Sequence, residues 1–189
     1  MAKRDNHYEV AFEAYLRDRG IAYVAVDETR RSPGGSPATA GETLKSLDFI
    51  VSPRQTKESW LVDVKGRQFP AGGRKQYWRN WTTADELHSL ARWETLFGQQ
   101  FAGLLVFAYL VRGDLAPLPA DQLFAWREQL YGFVGIRLHH YLALGKVISP
   151  KWNTLAVPVA QFRALARPVE EFFAPMAAPT SAAFQQSSA

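Results

Sequence analysis

The sequence contains no cysteine, which excludes disulfides, thiolate zinc sites and cysteine nucleophiles together. No apolar run approaches the roughly 20 residues that a membrane-spanning helix needs. The opening Met-Ala-Lys-Arg-Asp-Asn-His leads into no apolar stretch of the secretory-signal kind, so a cytoplasmic location is expected. Gly-rich phosphate loops, Gly-x-Ser-x-Gly elbows and dinucleotide fingerprints are missing as well. His7, His88 and the adjacent His139 and His140 lack zinc spacing. Nor does acid prevail: 22 Lys and Arg against 18 Asp and Glu give a formal charge of +4, which permits a polyanionic partner without demanding one.

What is present is globular. Hydrophobic residues make up 47% of the 189 and charged residues 21%, enough to bury a core. Tyr8, Ala11, Phe12, Tyr15 and Leu16 recur at helical spacing, predicting an amphipathic helix over 6–19 that Gly20 stops. A short apolar strand over 21–26 and a long Pro-, Gly- and Ser-rich loop over 27–43 come next. Strands are expected at 44–51 and 60–65, then a helix at 84–97 opened by the Thr83–Glu86 capping box and closed by Gly98. The run Phe101–Val111 reads as a buried strand, completing the order αβββαβ. Beyond it, 123–126 and 131–136 suggest a hairpin, and 137–145 and 159–166 suggest helices, with Pro158 suited to a helix start. The expected division is a core over 1–112, an extension over 113–173 packing on the same domain, and a disordered tail over 174–189.

Strand alternation places Leu47, Phe49 and Val51 on one face, with Ser46, Asp48 and Ile50 on the other. In the next strand Trp60, Val62 and Val64 share a face, and Leu61, Asp63 and Lys65 the opposite one. If the two strands pair antiparallel about a centred loop at 52–59, Asp48 faces Asp63 with Cβ atoms about 5 Å apart. Opposed carboxylates repel and raise a pKa unless a positive charge intervenes. A hard cation such as Mg²⁺, or Mn²⁺ in its place, resolves that conflict, leaving its remaining coordination places to water and phosphate. Lys65 can then assist an attacking water or offset developing charge. The competing reading is two strand-end acids satisfied by Arg or Lys.

Glu9 borders the buried side of the first helix, and two readings stand equal for it. It is a third carboxylate for the metal, or the partner of Asn6 in a capping box. Directly after Lys65, the segment 66–81 interleaves Arg67, Arg74, Lys75 and Arg79 with Phe69, Tyr77, Trp78 and Trp81. The cations suit phosphates and the aromatics suit unpaired bases, although the tryptophans serve equally as core anchors. Arg30 and Arg31 in the earlier loop are further candidate phosphate contacts.

The set Glu9, Gly20, Asp48, Asp63 and Lys65, followed by a helix and an apolar strand, resembles the PD-(D/E)XK nuclease superfamily, and within it the archaeal-type Holliday-junction resolvases. His7-Tyr8-Glu9-Val10-Ala11-Phe12-Glu13 resembles the signature of the uncharacterised HYExAFE bacterial proteins. Leu47 stands where the superfamily motif has proline, and Asp63 where resolvases usually carry glutamate. The resemblance implies a restriction-endonuclease-like α/β (α+β) core with a mixed sheet flanked by helices. It also implies Mg²⁺-dependent hydrolysis of DNA, with branched or junction DNA as one substrate, DNA repair as a setting, and a homodimer. The expected catalytic set is Glu9, Asp48, Asp63 and Lys65. A non-catalytic DNA-binding module on the same fold is the alternative.

Overall fold

The computed structural model describes residues 6–26, 45–54, 56–70 and 77–174. The element order is α1 (His7–Asp18), β1 (Tyr23–Ala25), β2 (Phe49–Val51), β3 (Ser59–Phe69), β4 (Thr82–Thr83), α2 (Ala84–Phe97) and β5 (Phe101–Val111). A 3-10 turn at Ala120–Gln122 precedes β6 (Phe124–Trp126), β7 (Gln129–Arg137), α3 (Leu138–Leu144), β8 (Lys146–Ser149) and β9 (Thr154–Ala156). The described chain ends with α4 (Val159–Leu165), β10 (Arg167–Pro168) and α5 (Val169–Phe173).

The main sheet runs β1-β2-β3-β5-β7-β10, with β6 paired to β7. The β3–β5 pair is parallel and its neighbours are antiparallel, so the sheet is mixed. The parallel crossover is α2, whose ends follow from side chains. The Thr83 hydroxyl accepts from the Glu86 N–H, Glu86 reaches back to the Thr83 N–H, and Gly98 closes the helix at φ +85. On one face of the sheet, Trp60, Val62 and Val64 of β3 pack with Phe12, Tyr15 and Leu16 of α1 and Phe173 of α5. On the other, Leu61, Leu105 and Phe107 meet Leu90 of α2, Tyr141 of α3 and Phe162 of α4. The result is a mixed α+β core flanked by helices, consistent with a restriction-endonuclease-like fold.

Two expectations shift. The strand expected over 44–51 is confined to Phe49–Val51, and Leu47 packs with Leu61 on the α2 face, away from Phe49 and Val51. Alternation fails there because 45–48 precede the ladder, so no pleat dictates where Leu47 points. The second expected strand runs on to Phe69, carried by an unbroken parallel register with β5.

Residues after 112 contribute β7, which pairs along β5 from Leu104 to Leu110. The expected hairpin is present with its turn at Arg127 and Glu128, both at positive φ. The expected helices are α3 and α4, with Pro158 capping α4 immediately before its first residue. A second, three-stranded sheet, β4-β9-β8, had no counterpart in the sequence reading, and neither did α5. Buried Asn80 locks this sheet to the core, donating to the Val157 carbonyl at 3.0 Å and accepting from the Val157 N–H at 2.8 Å. The expected loop over 27–43 and the tail from 175 onward lie outside the described residues. No helix among the described residues is long and apolar enough to cross a membrane.

Candidate metal centre

Asp48 and Asp63 meet because the β2–β3 loop is centred. Phe49 pairs with Val62, Ile50 with Leu61 and Val51 with Trp60, and the Ser52 and Ser59 hydroxyls hydrogen-bond at 2.8 Å beyond the last pair. Continued by one residue, that register sets Asp48 opposite Asp63. Asp48 lies just before β2, where its N–H donates to the Val62 carbonyl at 3.1 Å and its Oδ2 accepts from the Val64 N–H at 2.6 Å. Helices from both layers reach the same cavity beside it, of about 250 Å³. Glu9 of α1 and Glu86 of α2 line it with Asp48, Asp63 and Lys65.

Lys65 lies between two acids. Its Nζ is 3.0 Å from Asp63 Oδ1, 2.7 Å from Asp63 Oδ2 and 3.1 Å from Glu86 Oε1. The contact to Oδ2 is close enough for ion pairing but is not a hydrogen bond, and that buried oxygen has no hydrogen-bond partner among the described residues. Asp63 and Lys65 side chains are only 16% and 12% exposed, so these charges act on each other with little screening.

Burial, then the charges of Asp63 and Glu9, holds the Asp48 carboxyl well above the usual carboxylate range; the Val64 N–H opposes this only in part. Burial also lifts Asp63, although Lys65 pulls it down. For Lys65, burial favours the neutral amine, yet Asp63 and Glu86 outweigh it and keep the ammonium. Glu86 falls to about 2: burial opposes the shift, while Lys65, the Thr82 hydroxyl and the Thr83 N–H together outweigh burial. In this state Lys65 stands as an ammonium between the two acids.

Glu86 is the site residue that the sequence reading placed only as a helix cap. Acid at the third helical position was visible, but its ion pair spans 21 residues and needed the β3–α2–β5 crossover to be known. Glu9 lines the pocket, and its link to Asn6 differs from a reciprocal capping box. The Asn6 side chain caps α1 through the Tyr8 N–H at 3.1 Å, and its amide donates to Glu9 Oε1 at 2.6 Å, linking cap and acid side chain to side chain. The start of α1 is seated by Tyr8, whose ring lies over Gly66: a Cβ at 66 would stand 2.1 Å from Tyr8 Cδ2.

The basic aromatic segment divides. Arg67 stacks over Trp81 at 3.9 Å and donates to the carbonyls of Gly66 and Trp81, while its buried Nε has no hydrogen-bond partner among the described residues. Trp78 is an anchor, with its ring 5.4 Å from Phe69 and 5.9 Å from Tyr109, and Tyr77 packs 5.2 Å from Phe69. Arg79 is exposed and its carbonyl accepts from the Tyr109 hydroxyl at 3.0 Å. Arg30, Arg31, Arg74 and Lys75 lie outside the described residues.

Whether this pocket suits a divalent cation is a question of donors. Among the described residues no three Asp, Glu, His or Cys side chains close around one point. Two opposed carboxylates, one of them with an oxygen that has no hydrogen-bond partner among the described residues, nevertheless form a hard oxygen-donor set. That set fits Mg²⁺, which is commonly held by one or two carboxylates with water and substrate phosphate supplying the rest. Asp48 and Asp63 would hold it, with Glu9 within electrostatic reach of Asp48.

No family model matches the sequence, and no curated protein matches it, so membership of neither group named above is shown. Among solved structures the chain is similar to Hjc, a Holliday junction resolvase from Archaeoglobus fulgidus, at 13% identity and a TM-score of 0.47. The match covers 89% of this chain and 98% of that one. At that level the likeness adds no argument about the pocket, which rests on its own geometry.

Proposed function

We propose that the chain is a divalent-metal-dependent phosphodiester hydrolase acting on DNA, with Asp48 and Asp63 as metal ligands. The observation that carries this reading is the forced approach of two carboxylates on adjoining strands, with a lysine ammonium on the same face and an open cavity before them. Such an arrangement is costly unless a cation is part of its working state. A bound Mg²⁺ would polarise the scissile phosphate and lower the pKa of a coordinated water.

The protein's own residues do the remainder. Lys65 presents positive charge where negative charge accumulates on phosphate during in-line displacement, and Glu86 fixes the direction of that ammonium. Glu9 adds a negative boundary that favours a cation over a bare anion in the pocket. The exposed Arg79 is a candidate contact for the DNA backbone.

The test is cleavage of flush duplex, single-stranded and four-way branched DNA with Mg²⁺ or Mn²⁺ by wild type, Asp63→Asn and Lys65→Ala. Loss of cutting by at least 100-fold in both variants is expected. Equal cutting by all three proteins would sink the assignment. A second reading, a non-catalytic DNA-binding module, is favoured by one observation: Lys65 already neutralises Asp63 without a metal. It predicts salt-sensitive DNA binding with no cleavage under any divalent cation.

A further inference from the structure

The β8–β9 hairpin stands against the α2 end of the pocket and carries a surface that hydrolysis itself does not use. Its strand β9 pairs with β4, Thr82 opposite Leu155 and Thr83 opposite Thr154, and the Ala84 N–H donates to the Asn153 carbonyl at 2.8 Å. The hairpin turn is thereby fixed to the first turn of α2, where Glu86 holds Lys65 at 3.1 Å. On that turn Trp152 is 69% exposed. The Lys151 Nζ lies 5.3 Å over the Trp152 ring, and most of the residue stays open to solvent.

Charge is distributed unevenly around this feature. From Gln129 to Val169 the sequence holds Arg137, Lys146, Lys151, Arg163 and Arg167, and no Asp or Glu. Those five cations exceed the +4 of the whole chain, so the rest of it is net negative. Arg137 is committed to Glu58 at 2.8 Å and Arg167 lies 3.9 Å from Glu171. Lys146 and Lys151 are exposed and, among the described residues, have no carboxylate partner. A wholly apolar protein partner would leave two ammonium groups stranded at the contact. A polyanion carrying flat apolar rings satisfies both halves of the surface.

We propose that the β8–β9 hairpin is a nucleic-acid wing: Trp152 takes an unpaired base on its exposed ring, and Lys146 and Lys151 take the phosphates of the strand leading to the carboxylate pocket. The wing favours DNA with splayed or unpaired nucleotides beside the scissile bond, because a base held inside a duplex has no free face to offer. It rests on the hydrolase reading only for where that strand leads.

The experiment measures anisotropy of labelled oligonucleotides without divalent cation, comparing a flush duplex with a forked duplex bearing unpaired bases. Wild type, Trp152→Ala and the pair Lys146→Glu with Lys151→Glu are used, and circular dichroism checks their folding. Trp152→Ala is expected to weaken fork binding roughly ten-fold or more, with a much smaller effect on the flush duplex. The double charge reversal is expected to weaken both and to flatten the salt dependence. Because those lysines are exposed, the pair keeps the test decisive even if Trp152→Ala folds poorly. Unchanged fork affinity in either variant overturns the wing. So does a Trp152→Ala protein that loses self-association in sedimentation while binding DNA normally, which would make the face a protein interface. Fork binding through Trp152 without Mg²⁺-dependent cleavage removes the hydrolase and keeps the wing; cleavage with unaltered Trp152→Ala binding does the converse.

Discussion

Lys65 has two anionic partners, Asp63 and Glu86, and their relative hold decides what its removal does. Truncating Lys65 to Met keeps much of the stem but leaves Asp63 as a buried carboxylate with no counter-charge. A loss of about 3 kcal/mol is expected at neutral pH, read from urea unfolding, because one half of a buried pair remains unpaired. Adding Asp63→Asn should restore most of it; a double variant as unstable as the single would place the cost elsewhere. Glu86 gives a pH signature of the opposite kind to Asp48. Its carboxyl is depressed from the ordinary 4.5 to about 2, so its contribution is complete above 4.5 and is lost as pH falls toward 2. Asp48 is raised, so its term favours the folded state below the ordinary carboxylate range and is lost as pH rises through its shifted value. Glu86→Gln should therefore flatten the acid limb of the stability–pH curve by about 1–2 kcal/mol, the wild-type and variant curves converging at low pH. Parallel curves would show that Glu86 acts only as a cap.

At the scale of elements, the coupling of α1 to β3 runs through a missing side chain. Gly66 follows Lys65 on β3, and Tyr8 fills the space above it one residue before Glu9. Gly66→Ala must push that ring away, since the displaced atoms belong to a planar aromatic and not to a flexible chain end. The expected cost is about 1–3 kcal/mol of stability in chemical denaturation, together with a larger fractional loss of DNA cleavage, because the start of α1 would carry Glu9 with it. Stability lost without extra loss of activity would separate Glu9 from the reaction. The same elements explain what the sequence made visible. Helix α2 and strand β5 were readable to the residue because a capping box, a glycine and an unbroken apolar run mark their ends. The register of Asp48 and Asp63 was readable because the loop at 52–59 happens to be symmetric. Leu47 was misplaced because three residues of β2 are too few to impose a pleat on what precedes them. The β8 and β9 strands and helix α5, of three to five residues each, fall below the window in which any period can be recognised. Glu86 was seen with one of its two roles, since capping is local and its ion pair is not.

Across the whole molecule, the sheet combines a local antiparallel pair with a distant parallel one, and the contrast sets an order of events. Asp48 and Asp63 sit 15 positions apart, whereas Val62 and Leu104, neighbours in the parallel ladder, are 42 apart. Closing the longer loop costs about 0.9 kcal/mol more by chain entropy alone, and α2 must be formed within it. The β2–β3 hairpin is therefore expected to assemble first, so that the refolding chain meets its own like charges before the helix that brings Glu86 to Lys65 has docked. The acid pair, described above as a static tension in a finished pocket, is thus also a toll on the folding nucleus. Asp48→Asn should speed the refolding limb of the chevron several-fold while barely moving the unfolding limb, and the gain should shrink in high salt. A change confined to the unfolding limb would reverse the order. A chain under selection for rapid folding alone would shed one of these carboxylates; slowed nucleation is the kinetic mark expected of the centre.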